Sequence, residues 1–181
     1  MPRLKQGDQA PNILLRDTEG VAFNLDTYRG KKVLLSFYRF ATCPFCNLRI
    51  HKVVKEYPRY REHFEVIAIF ESQDETLRKA MRKYEASFRI MSDSKGLYYD
   101  AYALEKSFIG VIKGMLFRMP SLIKSMMMGN FPTQVDSAMT RMPADFLIDE
   151  NGIIQIAYYG KDEGDHLDID TLISTQTKEK L

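Results

Sequence analysis

The only two cysteines of the chain lie three positions apart, in Cys43-Pro44-Phe45-Cys46. Pro44 suits the first position of a helix, because the N–H that proline lacks would have no partner there. A cysteine at that open end of a helix faces free N–H groups and the positive end of the helix dipole, and both stabilise the thiolate. Because a three-residue separation brings Cys46 back toward Cys43, the pair predicts reversible dithiol–disulfide chemistry.

A metal site is the first alternative to redox chemistry. A single Cys-x-x-Cys supplies only two of the four ligands that a structural zinc needs. The three histidines, His51, His63 and His166, are scattered without ligand spacing. We therefore expect no metal and no cofactor, and we interpret the cysteines as a redox pair in a reducing compartment.

Composition narrows the class of protein further. The chain has 181 residues, of which 45% are hydrophobic, which suits one domain over residues 1–181. A formal net charge of +2 argues against a dedicated nucleic-acid binder. The first eight residues are too polar for a signal peptide, and no apolar run is long enough for a spanning helix. A cytoplasmic protein is expected.

The cysteines lie between elements that would position them. Residues 33–38 form a continuous apolar run, which predicts a central strand buried on both faces, and residues 66–70 predict a second such strand. The segment between them has the apolar spacing of an amphipathic helix. Residues 145–149 and 153–158 flank an Asn-Gly turn and predict a hairpin, and a last helix is expected to begin near Asp168 or Asp170. These elements predict an α/β fold with a central mixed β-sheet flanked by helices.

A middle segment, residues 105–140, reads as a helical insert before the late hairpin. From Lys106 to Val135 it contains four basic residues and no acidic residue. Its apolar pattern predicts two amphipathic helices separated at Met119-Pro120. Three interpretations stay open: the helices bury their apolar faces on the domain, they form a homodimer interface or a groove for a substrate protein, or they attach to a membrane surface.

Several motifs in order resemble the thioredoxin superfamily and, within it, the peroxiredoxin-like alkyl hydroperoxide reductase/thiol-specific antioxidant family. The resemblance rests on residues 4–12, on Tyr28-Arg29-Gly30-Lys31-Lys32, on Phe37-Tyr38 before the active loop, and on residues 146–152 in the hairpin. It implies a thioredoxin-like fold and an antioxidant oxidoreductase.

The peroxiredoxin pattern Pro-x-x-x-Thr-x-x-Cys fits this chain only in part. Aligned on Cys46, it puts Arg39 at the proline position and Cys43 at the threonine position. The arginine that the family carries three residues before Phe146 is replaced by Pro143, although Arg141 is close by.

The thioredoxin pattern fits the cysteines better, and it implies that Cys43 attacks the substrate and Cys46 resolves the mixed disulfide. It also implies a cis peptide bond at Met142-Pro143, with an ordinary trans proline as the alternative. The acid that thioredoxins carry on the central strand is replaced by Ser36. Glu71 is a candidate substitute, and an exposed carboxylate at a strand end is the alternative for it.

The leading hypothesis is a thiol–disulfide oxidoreductase with Cys43 and Cys46 as catalytic residues. The residues predicted to position the substrate or the thiolate are Pro143, Arg39, Thr42, Pro44 and Arg141, with a solvated loop side chain as the alternative for Arg39. The expected partners are a disulfide-containing protein and an external thiol reductant. A thiol peroxidase that reduces hydroperoxides with the same cysteines is one alternative. A non-enzymatic redox-sensing module that binds a partner through the insert is the other.

Overall fold

The computed structural model describes residues 2–135, 138–170 and 172–173. Its strands are β1 (Leu14–Arg16), β2 (Ala22–Asn24), β3 (Val33–Tyr38), β4 (Glu65–Phe70), β5 (Arg89–Ser92), β6 (Ala144–Ile148) and β7 (Ile154–Tyr159). Its helices are α1 (Pro44–Tyr60), α2 (Asp74–Met81), α3 (Leu97–Ala101), α4 (Phe108–Phe117) and α5 (Met119–Met127), with a 3-10 helix over Leu25–Tyr28.

Five strands form one mixed sheet in the order β5-β4-β3-β6-β7. β3 pairs in parallel with β4 and antiparallel with β6, and all six of its residues are buried. The predicted central strand is therefore confirmed. A small antiparallel pair, β1 and β2, lies outside this sheet.

Helices cover both faces of the sheet, so the apolar core has two parts. The first part contains the cysteines, Ile50 and Val53 of α1, and Leu77 of α2. The second part contains Phe37 of β3 together with Tyr99 of α3. Because neighbouring residues of β3 point to opposite faces, one strand contributes to both parts. This is the thioredoxin-like α/β architecture that the sequence predicts.

The late hairpin is also confirmed, since β6 and β7 pair antiparallel on either side of the Asn-Gly turn. Gly152 has a φ of +78°, in the left-handed region that favours glycine. The Asn-Gly pair therefore specifies this turn through its backbone conformation.

The middle segment forms two helices, α4 and α5, and their boundary falls at Arg118, next to the predicted break. Ser107 caps α4, because its hydroxyl accepts a hydrogen bond from the Gly110 N–H at 3.0 Å. Residues 136 and 137 of the segment lie outside the described residues. At the other end of the chain, residues 169–170 and 172–173 are helical, which agrees with the predicted start of a last helix; its continuation lies outside the described residues.

Candidate active site

The cysteine pair lies where the loop after β3 meets the first turn of α1. Cys43 is the N-cap residue, with extended backbone (φ −61°, ψ 123°), and α1 begins at Pro44 as predicted. The Asn47 side-chain amide donates to the carbonyls of Ala41 at 2.7 Å and Cys43 at 2.9 Å. One side chain of α1 thus holds the preceding loop against the first helical turn.

Both cysteines are free thiols, and both are fully buried. Arg39 contacts both sulfurs. Its guanidinium Nη1 lies 3.7 Å from Cys43 Sγ, and its backbone N–H donates to Cys46 Sγ at 3.4 Å. The Arg39 side chain is only 3% exposed, so the solvated loop arginine considered as an alternative is wrong.

The surroundings shift the pKa values of the two cysteine thiols in opposite directions. Burial disfavours the Cys43 thiolate, but the hydrogen bond with the Cys46 thiol, the charge of Arg39 and the backbone N–H of Cys46 outweigh burial and lower the pKa of Cys43 to about 7. Burial raises the pKa of Cys46, and the adjacent Cys43 sulfur raises it further. Near neutral pH the thiolate therefore belongs to Cys43 and the proton to Cys46.

A buried carboxylate that the sequence analysis missed holds Arg39. Glu163 Oε1 lies 3.1 Å from Arg39 Nη1, and Arg39 Nη2 donates to the carbonyl of Met139. Burial raises the pKa of Glu163, while the charge of Arg39 acts in the opposite direction. The second carboxylate oxygen, Oε2, is buried and has no hydrogen-bond partner within the described residues.

Two glycines of α4 leave the space that Glu163 and its loop occupy. A Cβ at Gly114 would lie 2.6 Å from Glu163 Oε2, and a Cβ at Gly110 would lie 3.0 Å from the carbonyl of Lys161. The absence of side chains lets α4 approach the loop after β7 closely. Two glycines four residues apart, on one helix face, are the sequence signal that would have predicted such an approach.

Helix α5 and the residues that follow it cover the loop and the helix start that carry the cysteines. The Ser125 hydroxyl donates to the carbonyl of Pro44 at 2.6 Å. The Thr42 hydroxyl donates to the carbonyl of Gln134 at 2.5 Å. Two of the predicted positioning residues, Thr42 and Pro44, are thus brought beside the cysteines and under this cover.

Arg141 lies in a different network. Its guanidinium pairs with Glu71 at 3.0 Å and Asp100 at 3.2 Å, and it donates to the carbonyl of Leu104 at 3.0 Å. Within the described residues, none of its hydrogen bonds reaches a cysteine sulfur. Glu71 is buried in this pair, so the exposed strand-end carboxylate considered for it is wrong.

Pro143 stands directly before β6, and the predicted cis peptide bond is wrong. No cis peptide bond occurs among the described residues, so Met142–Pro143 is trans. The Met142 N–H donates to the carbonyl of Glu105, and the Pro143 carbonyl accepts from the Gly160 N–H, each at 2.9 Å. These bonds continue the extended backbone of β6 through the proline, which is the ordinary alternative considered above.

A second buried carboxylate lies on the strand next to the central one. Asp145 of β6 stands directly opposite Ser36 of β3 and is fully buried. His166 Nδ1 lies 3.1 Å from Asp145 Oδ2, and the Leu167 N–H donates to the same oxygen at 2.7 Å. Burial opposes ionisation, but interactions led by His166 outweigh it and lower the pKa of Asp145.

This carboxylate belongs to the same side of the sheet as the cysteines. The ring of Tyr38 packs on His166 with centroids 4.8 Å apart, and Tyr38 shares a core cluster with Cys46. Ser36 was predicted to replace an acid on the central strand, whereas the acid opposite it on the neighbouring strand was not predicted. A single acid within the apolar run of residues 144–148 was the available signal.

The described residues contain neither a ready cluster of metal ligands nor a helix that could cross a membrane. No group of three His, Cys, Asp or Glu side chains in these residues is arranged to hold a metal ion. None of the helices they form combines the length and apolar character needed to cross a bilayer. The 17-residue helix α1, for example, carries charged side chains along its length.

A thioredoxin-like sheet with a Cys-Pro-Phe-Cys pair at the start of its first long helix defines a protein of the thioredoxin superfamily. Within that superfamily the chain belongs to the AhpC/TSA family, whose sequence pattern matches residues 6–157.

Individual relatives include both disulfide-exchanging proteins and peroxiredoxins. The thiol-disulfide oxidoreductase ResA of Halalkalibacterium halodurans is 36% identical over 103 residues, which cover 55% of this chain and 57% of ResA. The chain thus spans little more than half of that relative. Peroxiredoxin Bcp of Escherichia coli K12 is 29% identical over 126 residues, which cover 68% of this chain and 81% of Bcp.

Solved structures support the fold. A mutant of PrxQ from Xylella fastidiosa superimposes with a TM-score of 0.70 and covers 100% of both chains, at 13% sequence identity. At that identity the likeness concerns the architecture. It agrees with the mixed sheet and flanking helices described above.

Proposed function

We propose that this protein is a thiol–disulfide oxidoreductase in which Cys43 attacks and Cys46 resolves. The observation that carries the proposal is the position of Cys43 at the open end of α1 with Arg39 Nη1 3.7 Å from its sulfur, an arrangement that favours the thiolate on Cys43. Family membership and the similarity to ResA support it.

The reaction uses two exchanges and balances without a cofactor. The Cys43 thiolate attacks one sulfur of a substrate disulfide, the substrate S–S bond breaks, and one substrate thiolate leaves. Cys46 then loses its proton and attacks the Cys43 sulfur of the mixed disulfide, which releases the second substrate thiolate. The protein ends with a Cys43–Cys46 disulfide, and the substrate has gained two electrons. An external thiol reductant restores the dithiol, as a reducing cytoplasm would allow.

Other residues prepare this chemistry. Arg39 stabilises the thiolate, and Pro44 leaves the N–H groups of the helix start directed at it. Thr42 and Pro143 are proposed to contact the substrate. Arg141, fixed by its buried ion pair, would position Pro143 two residues later in the chain.

A thiol peroxidase is the second candidate, and the complete burial of Cys43 favours it. A hydroperoxide is small enough to reach a sulfur that a protein disulfide reaches only after the cover moves. The Cys43 thiolate would attack the terminal peroxide oxygen, the O–O bond would break, and an alcohol or water would leave after protonation. The Cys46 thiol would then condense with the Cys43 sulfenic acid, forming the disulfide and releasing water. The peroxiredoxin Bcp relationship supports this candidate.

One pair of assays distinguishes the candidates. The reduced protein is mixed either with a peptide disulfide or with hydrogen peroxide. Without added reductant, thiol titration follows the loss of its dithiol; with a regenerating reductant, substrate consumption measures turnover. The proposal predicts catalytic turnover of the peptide disulfide and a trapped mixed disulfide in Cys46→Ser. Catalytic turnover of peroxide alone would assign the second candidate. Turnover of neither would leave the redox-sensing module and overturn both.

A further inference from the structure

The outer surface of α4, α5 and the following segment is apolar and exposed. Sixteen large apolar side chains are exposed in the described residues, and thirteen of them lie between positions 108 and 139. Scattered exposed apolar residues are normal, but such a concentration marks an interaction surface. We call this surface the apolar face; it comprises Phe108, Ile109, Ile112, Met115, Leu116, Phe117, Met119, Ile123, Met127, Met128, Phe131, Val135 and Met139.

The exposure does not arise because the helices are detached from the protein. Their inner sides carry small residues that approach the body closely, namely Gly110, Gly114 and Ser125, all of them buried. Most of their bulky residues point outward, with Phe117 and Met127 80% and 84% exposed, whereas Val111 is buried and Leu122 packs against the core. The interpretation that these helices bury their main apolar faces on the domain is therefore wrong.

The chain from residue 106 to residue 135 carries charged side chains of one sign, and its first acid, Asp136, follows in the sequence between Val135 and Met139 of the face. Residues 106–135 contain four basic residues and no acidic residue. Arg118 is paired with Asp162 at 2.6 Å. Lys106, Lys113 and Lys124 are exposed and form no ion pair within the described residues. The face thus combines apolar side chains with uncompensated positive charge.

The combination of apolar side chains and positive charge indicates which partner the apolar face binds. A second copy related by two-fold symmetry would bring both sets of lysines into one interface, with no acidic residue from residues 106–135 to pair with them. Anionic lipid headgroups would instead complement the lysines, while the apolar side chains enter the upper acyl region. With ten and nine residues, α4 and α5 are far too short to span a bilayer, so they would lie along its surface.

We propose that the apolar face docks on the surface of an anionic lipid bilayer. The side chains of the face would be buried to a depth of about 5–10 Å, with Lys113 and Lys124 at the headgroups. Because Ser125 on the inner side of α5 contacts Pro44, docking would bring the cysteine end of α1 close to the bilayer. The proposal does not depend on which redox reaction the cysteines perform.

Vesicle co-sedimentation tests the proposal on the full chain. The wild-type protein is expected to sediment with vesicles of mixed phosphatidylglycerol and phosphatidylcholine, less with phosphatidylcholine alone, and less as salt is raised. The double variant Leu116→Ser/Phe117→Ser should bind about tenfold more weakly or worse, since it removes two large exposed apolar side chains. Lys113→Glu/Lys124→Glu should lose the preference for anionic vesicles.

Leu97→Ser is the matched control, because Leu97 is an exposed leucine outside the face. It should bind like the wild type; equal loss in this control would overturn the assignment of the surface. Circular dichroism and titration of the two buried thiols verify that each variant is folded. A wild-type protein that stays in the supernatant at low ionic strength overturns the proposal. A dimer in analytical ultracentrifugation that Leu116→Ser/Phe117→Ser dissociates, with no vesicle binding, would assign the face to a second copy instead.

Discussion

Cys43 and Cys46 lie on one turn of α1, but their surroundings differ. Cys43 is at the open end of the helix and beside the guanidinium of Arg39. Cys46 lies inside the first turn, where its sulfur accepts a hydrogen bond from one backbone N–H. Burial acts against the thiolate at both positions, yet only Cys43 receives enough compensation for its pKa to fall.

This comparison shows what assigns the two roles. Exposure does not, because both residues are fully buried. The roles are assigned by the hydrogen bond from the Cys46 thiol, the charge of Arg39 and the Cys46 N–H at the helix start, which together favour charge on Cys43. Variants that remove a sulfur, a buried partner or a charge should therefore affect Cys43 and Cys46 unequally.

The largest difference is expected between the two cysteine variants. Cys43→Ser should reduce turnover to background, because no thiolate remains at the helix start. Cys46→Ser should keep the first exchange and stop at the mixed disulfide with the substrate. Mass spectrometry of the protein after reaction with a peptide disulfide measures the trapped adduct. A stable adduct in Cys43→Ser but not in Cys46→Ser would reverse the assignment.

A large loss of stability is expected when the buried carboxylate of Asp145, on the same side of the sheet as the cysteines, is removed. Asp145→Ala leaves His166 and the Leu167 N–H without their buried partner, and removal of one partner from such a pair costs about 3–5 kcal/mol. The free energy of unfolding in urea measures this loss. Because the pKa of Asp145 is lowered, its contribution in the wild type should persist at neutral pH and disappear only in acid, as the carboxylate is protonated. Glu62→Ala, at a carboxylate exposed on the surface, is the control and should cost little.

Local sequence patterns predicted the fold well because they act over short distances. The apolar run of β3, the Asn-Gly turn before β7 and the proline that opens α1 each specify their own element. The two helices of the middle segment followed from spacing in the same way. The direction of their apolar faces could not be predicted from spacing. It depends on the contact of Gly110 and Gly114 with the loop after β7, which comes much later in the chain.

The site was predictable only where its residues are neighbours in the chain. Arg39 and the cysteines belong to one loop and one helical turn. Glu163 and Asp145 reach them through the pairing of distant segments, so no spacing rule indicates their roles. Asp145 stands opposite Ser36 only because β3 and β6 pair in a particular register, which the sequence analysis did not establish.

A moderate effect is expected when the charge beside Cys43 is removed. Arg39→Leu should raise the pKa of Cys43 and reduce its thiolate fraction at neutral pH by about tenfold, since one pKa unit corresponds to a tenfold change. Titration of the thiolate by ultraviolet absorbance measures this shift, and Arg39→Lys should recover part of it. The lowered pKa also predicts that the reduced wild type gains stability as pH rises from about 7 toward 9, where the unfolded thiol still binds its proton. This gain should shrink in Arg39→Leu; an unchanged titration would contradict the role of the guanidinium.

The smallest effect on the pKa of Cys43 is expected when only the negative charge of Glu163 is removed and the shape of its side chain is kept. Glu163 raises the pKa of Cys43 through its own negative charge, although it also holds Arg39 in place. Glu163→Gln keeps an oxygen that can accept from Arg39, so the titration of Cys43 should move to lower pH and increase the thiolate fraction about two- to fivefold in mild acid. Glu105→Gln, at an exposed carboxylate paired with Arg3, is the matched control and should leave the titration unchanged. A movement to higher pH would mean that Glu163 acts on Cys43 by directing Arg39, and that positioning outweighs its charge.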